Sequence, residues 1–282
     1  MGIEVRFWGV RGSIASPGPD TSRVGGNTSC VEVRAEGTRI VLDAGTGIRR
    51  LGEQLVRDGN ADPITILLSH LHWDHIQGLP FFLPAYLPST ELAIFGQAPL
   101  AAALTQQMQQ PVFPVRLDEL PAKLALRETK PGDVFHVGAV RVRVAKQNHP
   151  GGSLAYRLEL PGAVVVYATD TEHFACVDPA LRALAEGADL LIYDSQYTPE
   201  EYGGAVGRAK LGWGHSTYVA GAELAKAAGV GHYVLFHHDP QRSDAAVAEI
   251  EDKARALFPR STAAREGMVV VLGAQPAAAA AA

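Results

Sequence analysis

Short runs in which apolar and polar residues alternate dominate this chain, broken by segments with helical spacing. Ile3, Val5 and Phe7 alternate with Glu4 and Arg6, the period-two pattern of a half-buried strand. Strands are expected over residues 30–34 and 39–42, followed by a helix carried by Ile48, Leu51, Leu55 and Val56. Residues 64–68 form a continuous apolar, β-rich run typical of a buried strand. After it, apolar residues 79–83 open a helix, 92–95 read as a strand and 99–109 as a helix, and 110–130 is irregular and proline-punctuated. Strands follow at 133–137, 140–147, 154–160 and 163–168. The rest alternates: helix 179–186, strand 188–193, helix 218–228, strand 232–236, helix 244–257, strand 268–272. Strand-rich segments and helices thus recur in two similar halves with no linker between them. That order predicts an α/β fold of two sheets packed face to face with helices outside, a four-layer αββα sandwich in one domain of residues 1–276. The alanine run 277–282 is a low-complexity tail and is excluded from the fold.

Composition agrees with one layered domain. At 282 residues and 47% apolar, the chain can bury a substantial core without splitting. No apolar run approaches the ~18–20 residues of a membrane span, and the first residues lack a signal-peptide pattern. Two cysteines, Cys30 and Cys176, give no disulfide framework and fit a reducing cytoplasm. A formal net charge of −5 offers no overall basic surface for gripping a long polyanion, which weighs against a large nucleic-acid substrate.

The chemistry concentrates in Ser69-His70-Leu71-His72-Trp73-Asp74-His75-Ile76-Gln77-Gly78, three imidazoles and a carboxylate within six residues. It lies on the loop after the 64–68 strand, where a rigid scaffold aims side chains at one point. Imidazole and carboxylate together suit a borderline divalent ion, and packing gives no reason for such density. His70 and His72 point toward one ion, Asp74 and His75 toward a second. Further polar residues stand where strands end: Asp43, His149, Asp170, Asp194 and His237, with His215 opening the 218–228 helix. His136, His173 and His232 read as structural or surface residues, and His238 and Asp239 as neighbours of the site. Two long glycine-rich loops, 9–27 and 202–214, are candidates for function. At the end of the first, residues 25–29 suit either phosphate contact or plain connection.

His70-Leu-His-Trp-Asp-His75 resembles the H-x-H-x-D-H signature of the metallo-β-lactamase fold. Asp43-Ala-Gly-Thr-Gly47 matches that family's early D-x-G-x-G turn, and His149, Asp170 and His237 follow in its order. The resemblance spans nearly the whole chain and implies the same αββα sandwich. It also implies two divalent ions, zinc or else manganese or iron: His70, His72 and His149 around one, Asp74, His75 and His237 around the other, Asp170 bridging. Asp43 would orient a ligand imidazole from behind.

Within the family, a histidine at position 72 argues for hydrolysis over redox chemistry, and Asp170 stands where true β-lactamases carry cysteine. Gly214-His215-Ser216-Thr217 resembles the histidine-serine-threonine element of ribonuclease Z and related phosphodiesterases. That branch implies a pair of ions activating a bridging water, with His215 as general acid, oriented by Asp194. Asp74 belongs to both the metal-binding and the catalytic set. Ribonuclease Z grips transfer RNA with a long arm between its third and fourth ligand motifs. Here His149 and Asp170 stand 21 residues apart, filled by two strands and a turn. Arg11-Gly12-Ser13, residues 25–29, 213–217 and 236–240 resemble cyclic-nucleotide phosphodiesterases of this fold. The expected function is therefore a cytoplasmic, homodimeric phosphodiesterase for cyclic nucleotides or similar small diesters. The alternatives are a ribonuclease Z-like RNA 3′ processing enzyme and, last, a non-catalytic metal-binding protein.

Overall fold

Fourteen strands among the described residues form two seven-stranded sheets in a computed structural model that describes residues 2–59 and 62–273. The tail 277–282 and the boundary at 276 lie outside the described residues. The first half of the chain contributes β1 (Ile3–Gly9), β2 (Cys30–Ala35), β3 (Thr38–Leu42), β4 (Ile64–Leu67), β5 (Glu91–Gly96) and β6 (Lys123–Glu128). The second contributes β7 (Val134–Val137), β8 (Val140–Gln147), β9 (Ser153–Leu160), β10 (Ala163–Ala168), β11 (Leu190–Asp194), β12 (His232–Phe236) and β13 (Ser261–Ala263). Finally β14 (Val269–Leu272) returns to pair antiparallel with β1. The strand orders are β14-β1-β2-β3-β4-β5-β6 and β13-β12-β11-β10-β9-β8-β7.

The helices are α1 (Gly47–Arg57), α2 (Trp73–Ile76), α3 (Leu100–Gln107), α4 (Pro179–Ala185), α5 (Pro199–Gly203), α6 (Tyr218–Ala227) and α7 (Asp244–Leu257). Strand pleating decides the layering. Ile40 and Leu42 of β3 join Tyr167 and Phe236 of the other sheet in one core, while Val41 between them points the opposite way. It meets Ile48, Leu51 and Leu55 of α1, spaced at i, i+3 and i+7 on one helix face. Each such fully buried aliphatic side chain contributes about 1.5–3 kcal/mol. Leu181 and Leu184 of α4, Leu224 of α6 and Val247 and Ile250 of α7 cover the second sheet, which completes the αββα sandwich.

Strands β3 to β6 run parallel, as do β10 to β13. In open α/β sheets, ligands bind outside the carboxyl ends of parallel strands. Here both sheets bring such ends to one place. Asp43 follows β3, the His70–His75 loop follows β4, Asp170 follows β10, Asp194 ends β11 and His237 follows β12.

Three expectations need correction. Residues 79–83 do not open an α-helix but form short 3-10 turns, Leu79–Phe81 and Leu83–Tyr86, because Pro80 and Pro84 each lack the amide that a continuing helix needs. The stretch 110–130 is not wholly irregular, since it ends in edge strand β6. Strand β13 and helix α5 also lie where no element was expected. Thr198 and Glu201 start α5 with a reciprocal capping box.

Candidate metal centre

The loop after β4 turns directly into α2 (Trp73–Ile76), and this tight turn delivers His70 and His72 to one group of donors and Asp74 and His75 to a second. His70, His72 and His149 each bring a ring nitrogen into one group within 4.8 Å. Asp74, His75, Asp170 and His237 form a second group of the same compactness, with all four side chains buried. Asp170 faces both: Oδ1 lies 3.2 Å from Nε2 of His75 and of His237, and Oδ2 lies 3.7 Å from His70 Nε2 and 3.9 Å from His149 Nε2. All seven residues expected to bind metal therefore meet in one place. Asp43, Asp170 and His237 have φ of 61°, 54° and 61°. Non-glycine residues rarely occupy this left-handed region, and such strain concentrates at functional sites.

Behind the two groups, four of the five candidate imidazoles are held in a common tautomer. His75 Nδ1–H donates to Asp43 Oδ2 (2.7 Å), His149 Nδ1–H to the Gly214 carbonyl (2.8 Å) and His237 Nδ1–H to Gln196 Oε1 (2.9 Å). Ser69 gives its hydroxyl hydrogen to Asp43, and its oxygen lies 3.1 Å from His70 Nδ1. These partners turn Nε2 of His70, His75, His149 and His237 toward the two groups, the arrangement by which outer partners prepare histidines for metal. His72 instead faces His149 with Nδ1, and His237 Nε2 lies 3.2 Å from Asp74 Oδ2. Nε2 of His70 and of His75 are buried without a hydrogen-bond partner, and His149 Nε2 faces His72 Nδ1 at 3.1 Å. Orphaned buried nitrogens beside two carboxylates fit divalent cations, whose charge and empty orbitals satisfy them together.

The comparisons with known proteins agree. A family model described as a beta-lactamase superfamily domain matches residues 38–238. The ribonuclease Z of Mycobacterium avium (strain 104) is 31% identical over 93% of this chain and 94% of its own. This is a metallo-β-lactamase-fold hydrolase of the ribonuclease Z-like branch. Among solved structures, the metallo-β-lactamase-fold protein YhfI of Bacillus subtilis superposes with a TM-score of 0.71 at 19% identity, covering 95% of this chain and 99% of that one. Human tRNase Z, short form, gives 0.68 at 21% identity, covering 95% and 98%.

In this ribonuclease Z-like hydrolase, His215 lies over the second group. Its Nδ1–H donates to Asp194 Oδ2 at 2.9 Å, and its ring stacks on His237 with centroids 5.0 Å apart. Asp194 Oδ1 accepts in turn from the amides of Ser216 and Gln196, so the carboxylate cannot swing away. Burial alone would lower the His215 pKa, but the charge and hydrogen bond of Asp194, then Asp170 and Asp74, raise it to about 9. His238 is different: burial and the nearby guanidinium groups of Arg11 and Arg242 push it down to about 3, and its Nε2–H donates to the Ala264 carbonyl. It is a neutral structural histidine. Asp239 helps anchor the N-terminal loop, its carbonyl accepting from Arg11.

Residues 25–29 act as a connection rather than a phosphate cradle. The Asn27 amide donates to Glu266 and the Thr28 amide to Thr46, so these donors are already engaged. Nearby Ser13 does reach the site: its amide donates to Asp74 Oδ2 at 2.8 Å. A Cβ at Gly12 would overlap the His237 ring, so only glycine lets this loop approach so closely. The sequence reading missed Gln196, Tyr167 (whose hydroxyl donates to Asp43) and Glu172. Each lies within three residues of a recognised site residue, and that proximity was the available signal.

Proposed function

We propose that this hydrolase is a metal-dependent phosphodiesterase acting on RNA, with two divalent ions, most simply zinc, in the paired groups. The observation that carries this reading is 31% identity to a ribonuclease Z over 93% of the chain, joined to the Asp194–His215 pair poised above the second group. It favours RNA over the cyclic-nucleotide substrate expected from the sequence. His70, His72 and His149 would hold one ion, and Asp74, His75 and His237 the other. Asp170, with one oxygen toward each group, would be shared. Bound there, the ions supply Lewis acidity and neutralise phosphate charge. Asp194 keeps His215 protonated and oriented, and His215 gives its Nε2 proton to the departing ribose oxygen. Asp74 also fixes the Ser13 loop against the site. Manganese or iron would suit the same nitrogen and oxygen donors.

One observation favours a second reading, a small phosphodiester such as a cyclic nucleotide. Between His149 and Asp170 stand only β9, β10 and their turn at residues 161–162, an interval that leaves no room for the RNA-gripping arm. A single preparation assayed on bis(p-nitrophenyl) phosphate, precursor transfer RNA and a panel of cyclic nucleotides decides between them. Site-specific 3′ cleavage of the RNA is the expected result; turnover of cyclic nucleotides with the RNA left intact would establish the small-diester reading. Sedimentation of the same preparation tests the homodimer implied by the resemblance.

A further inference from the structure

We propose that Lys210 and Trp213 form a nucleotide-binding rim beside the site, Trp213 stacking on a base and Lys210 meeting the phosphate next to the scissile one. The inference rests on the phosphodiesterase reading above. Trp213 is 45% exposed, which leaves part of a ring able to stack on a base accessible from outside. Lys210 Nζ lies 4.1 Å from the Trp213 ring centre and 5.7 Å from that of Tyr197, with no ion-pair partner among the described residues. Tyr197 in turn packs edge-on against His215, centroids 5.9 Å apart. A cation without an ion-pair partner among the described residues and a part-exposed indole, its one face carrying that cation, therefore stand one ring away from the candidate general acid.

This rim is built, not loose. Glu172, only 2% exposed, accepts from the Tyr202 hydroxyl (2.7 Å) and from the amides of Gly212 (2.8 Å) and Gly214 (3.0 Å). Gly214 has φ of 84°, a Cβ there would overlap the His149 ring, and its carbonyl accepts from His149 Nδ1. The same backbone turn that orients a candidate ligand imidazole thus presents Trp213. Every base offers a π-face, and stacking on aromatic side chains is how single strands are held without sequence preference. A cyclic mononucleotide has one phosphate, which the centre would take, so a role for Lys210 requires a chain of at least two.

The test is binding of a fluorescein-labelled five-nucleotide RNA with phosphorothioate linkages, followed by anisotropy. Trp213→Ala should weaken binding about tenfold or more, and Trp213→Phe should retain most of it. Lys210→Met should lower the slope of log affinity against log salt by about 0.7, one phosphate contact on a single strand. An oligonucleotide with one abasic position should bind wild type and Trp213→Ala alike. Metal content and melting temperature of each variant identify any that failed to fold, and Trp213→Phe then carries the comparison. Unchanged affinity in Trp213→Ala, or an unchanged salt slope in Lys210→Met, overturns the proposal. Bis(p-nitrophenyl) phosphate tests the underlying reading separately. If wild type hydrolyses no diester yet binds RNA through Trp213, the phosphodiesterase reading falls and the rim stands.

Discussion

Replacing Asp43 by asparagine probes the support behind the site with the least change of shape. The carboxylate is fully buried and accepts four hydrogen bonds. Oδ2 takes His75 Nδ1 (2.7 Å), Tyr167 OH (2.7 Å) and Ser69 Oγ (2.8 Å), and Oδ1 takes the Ser69 amide (2.6 Å). An amide has one oxygen, so one of two conflicts is forced. With the amide NH₂ in the Oδ1 position, it meets the Ser69 N–H donor to donor. With NH₂ in the Oδ2 position, it meets the His75 Nδ1–H, unless that ring moves its proton to Nε2 and ceases to be a metal donor. Backbone strain does not confound the result, since asparagine tolerates the left-handed φ of 61° at this position. A buried donor left unsatisfied costs about 1–3 kcal/mol, a fall in melting temperature of roughly 2–12 °C for a domain of this size. If the second conflict is realised, affinity for one ion also drops about 10–100-fold. Calorimetry on chelated protein reads the first effect, and titration against a competing chelator reads the second. Asp43→Asn melting with wild type and holding both ions as tightly would refute the reasoning.

Asp170→Ala removes the carboxylate that faces both groups, so metal content and diesterase turnover should fall together while circular dichroism stays native; two ions per chain at normal turnover would show the assignment wrong. His215→Ala should cost about 10²–10⁴-fold on a substrate with a ribose leaving group, where the proton matters, and much less on bis(p-nitrophenyl) phosphate, whose leaving anion is stable. Equal losses on the two would assign His215 to binding or structure instead. Gly12→Ala pushes a methyl into the His237 ring and should break the Ser13–Asp74 hydrogen bond, measured as at least tenfold weaker metal binding; unchanged affinity would mean that this loop is free to move away.

How much of this was legible depends on how locally each feature is encoded. The His70–His75 loop was readable because four donors fall within six residues after one apolar strand. The sandwich was readable because period-two runs such as Ile3, Val5 and Phe7 bury one face. Edge strand β6 was missed because only Leu124 and Leu126 mark its inner side, amid prolines and charges, and its parallel pairing with β5 leaves no hairpin turn. Residues 25–29 looked suited to phosphate because glycines and hydroxyls cluster there, but the distant Glu266 claims the Asn27 amide and Thr46 the Thr28 amide. Gln196 and Glu172 escaped notice for the same reason: their meaning lies in partners 41 and 42 residues away in the chain.

Substrate choice in such an enzyme has to be settled away from the donors at its centre. On the proposed function, those donors would meet a phosphodiester through its charge and its oxygens, features shared by RNA, a cyclic nucleotide and bis(p-nitrophenyl) phosphate. Discrimination must come from what the chain brings beside these donors, such as the turn at Gly214 that holds His149, because the β9–β10 turn lies at the far end of its strands from His149 and Asp170. A net charge of −5 offers little long-range attraction for a polyanion, so RNA would have to be held by short-range contacts. That distinction is measurable. Binding that rests on many phosphates weakens steeply with salt, about 0.7 in the log–log slope per contact on a single strand, whereas stacking on an exposed ring such as Trp213 depends on the base and little on salt. We expect a shallow slope, no more than two contacts' worth, together with a strong penalty for an abasic position. A steep slope indifferent to the missing base would place the grip on an electrostatic surface elsewhere, and the loop carrying Trp213 would then have to be explained by packing alone.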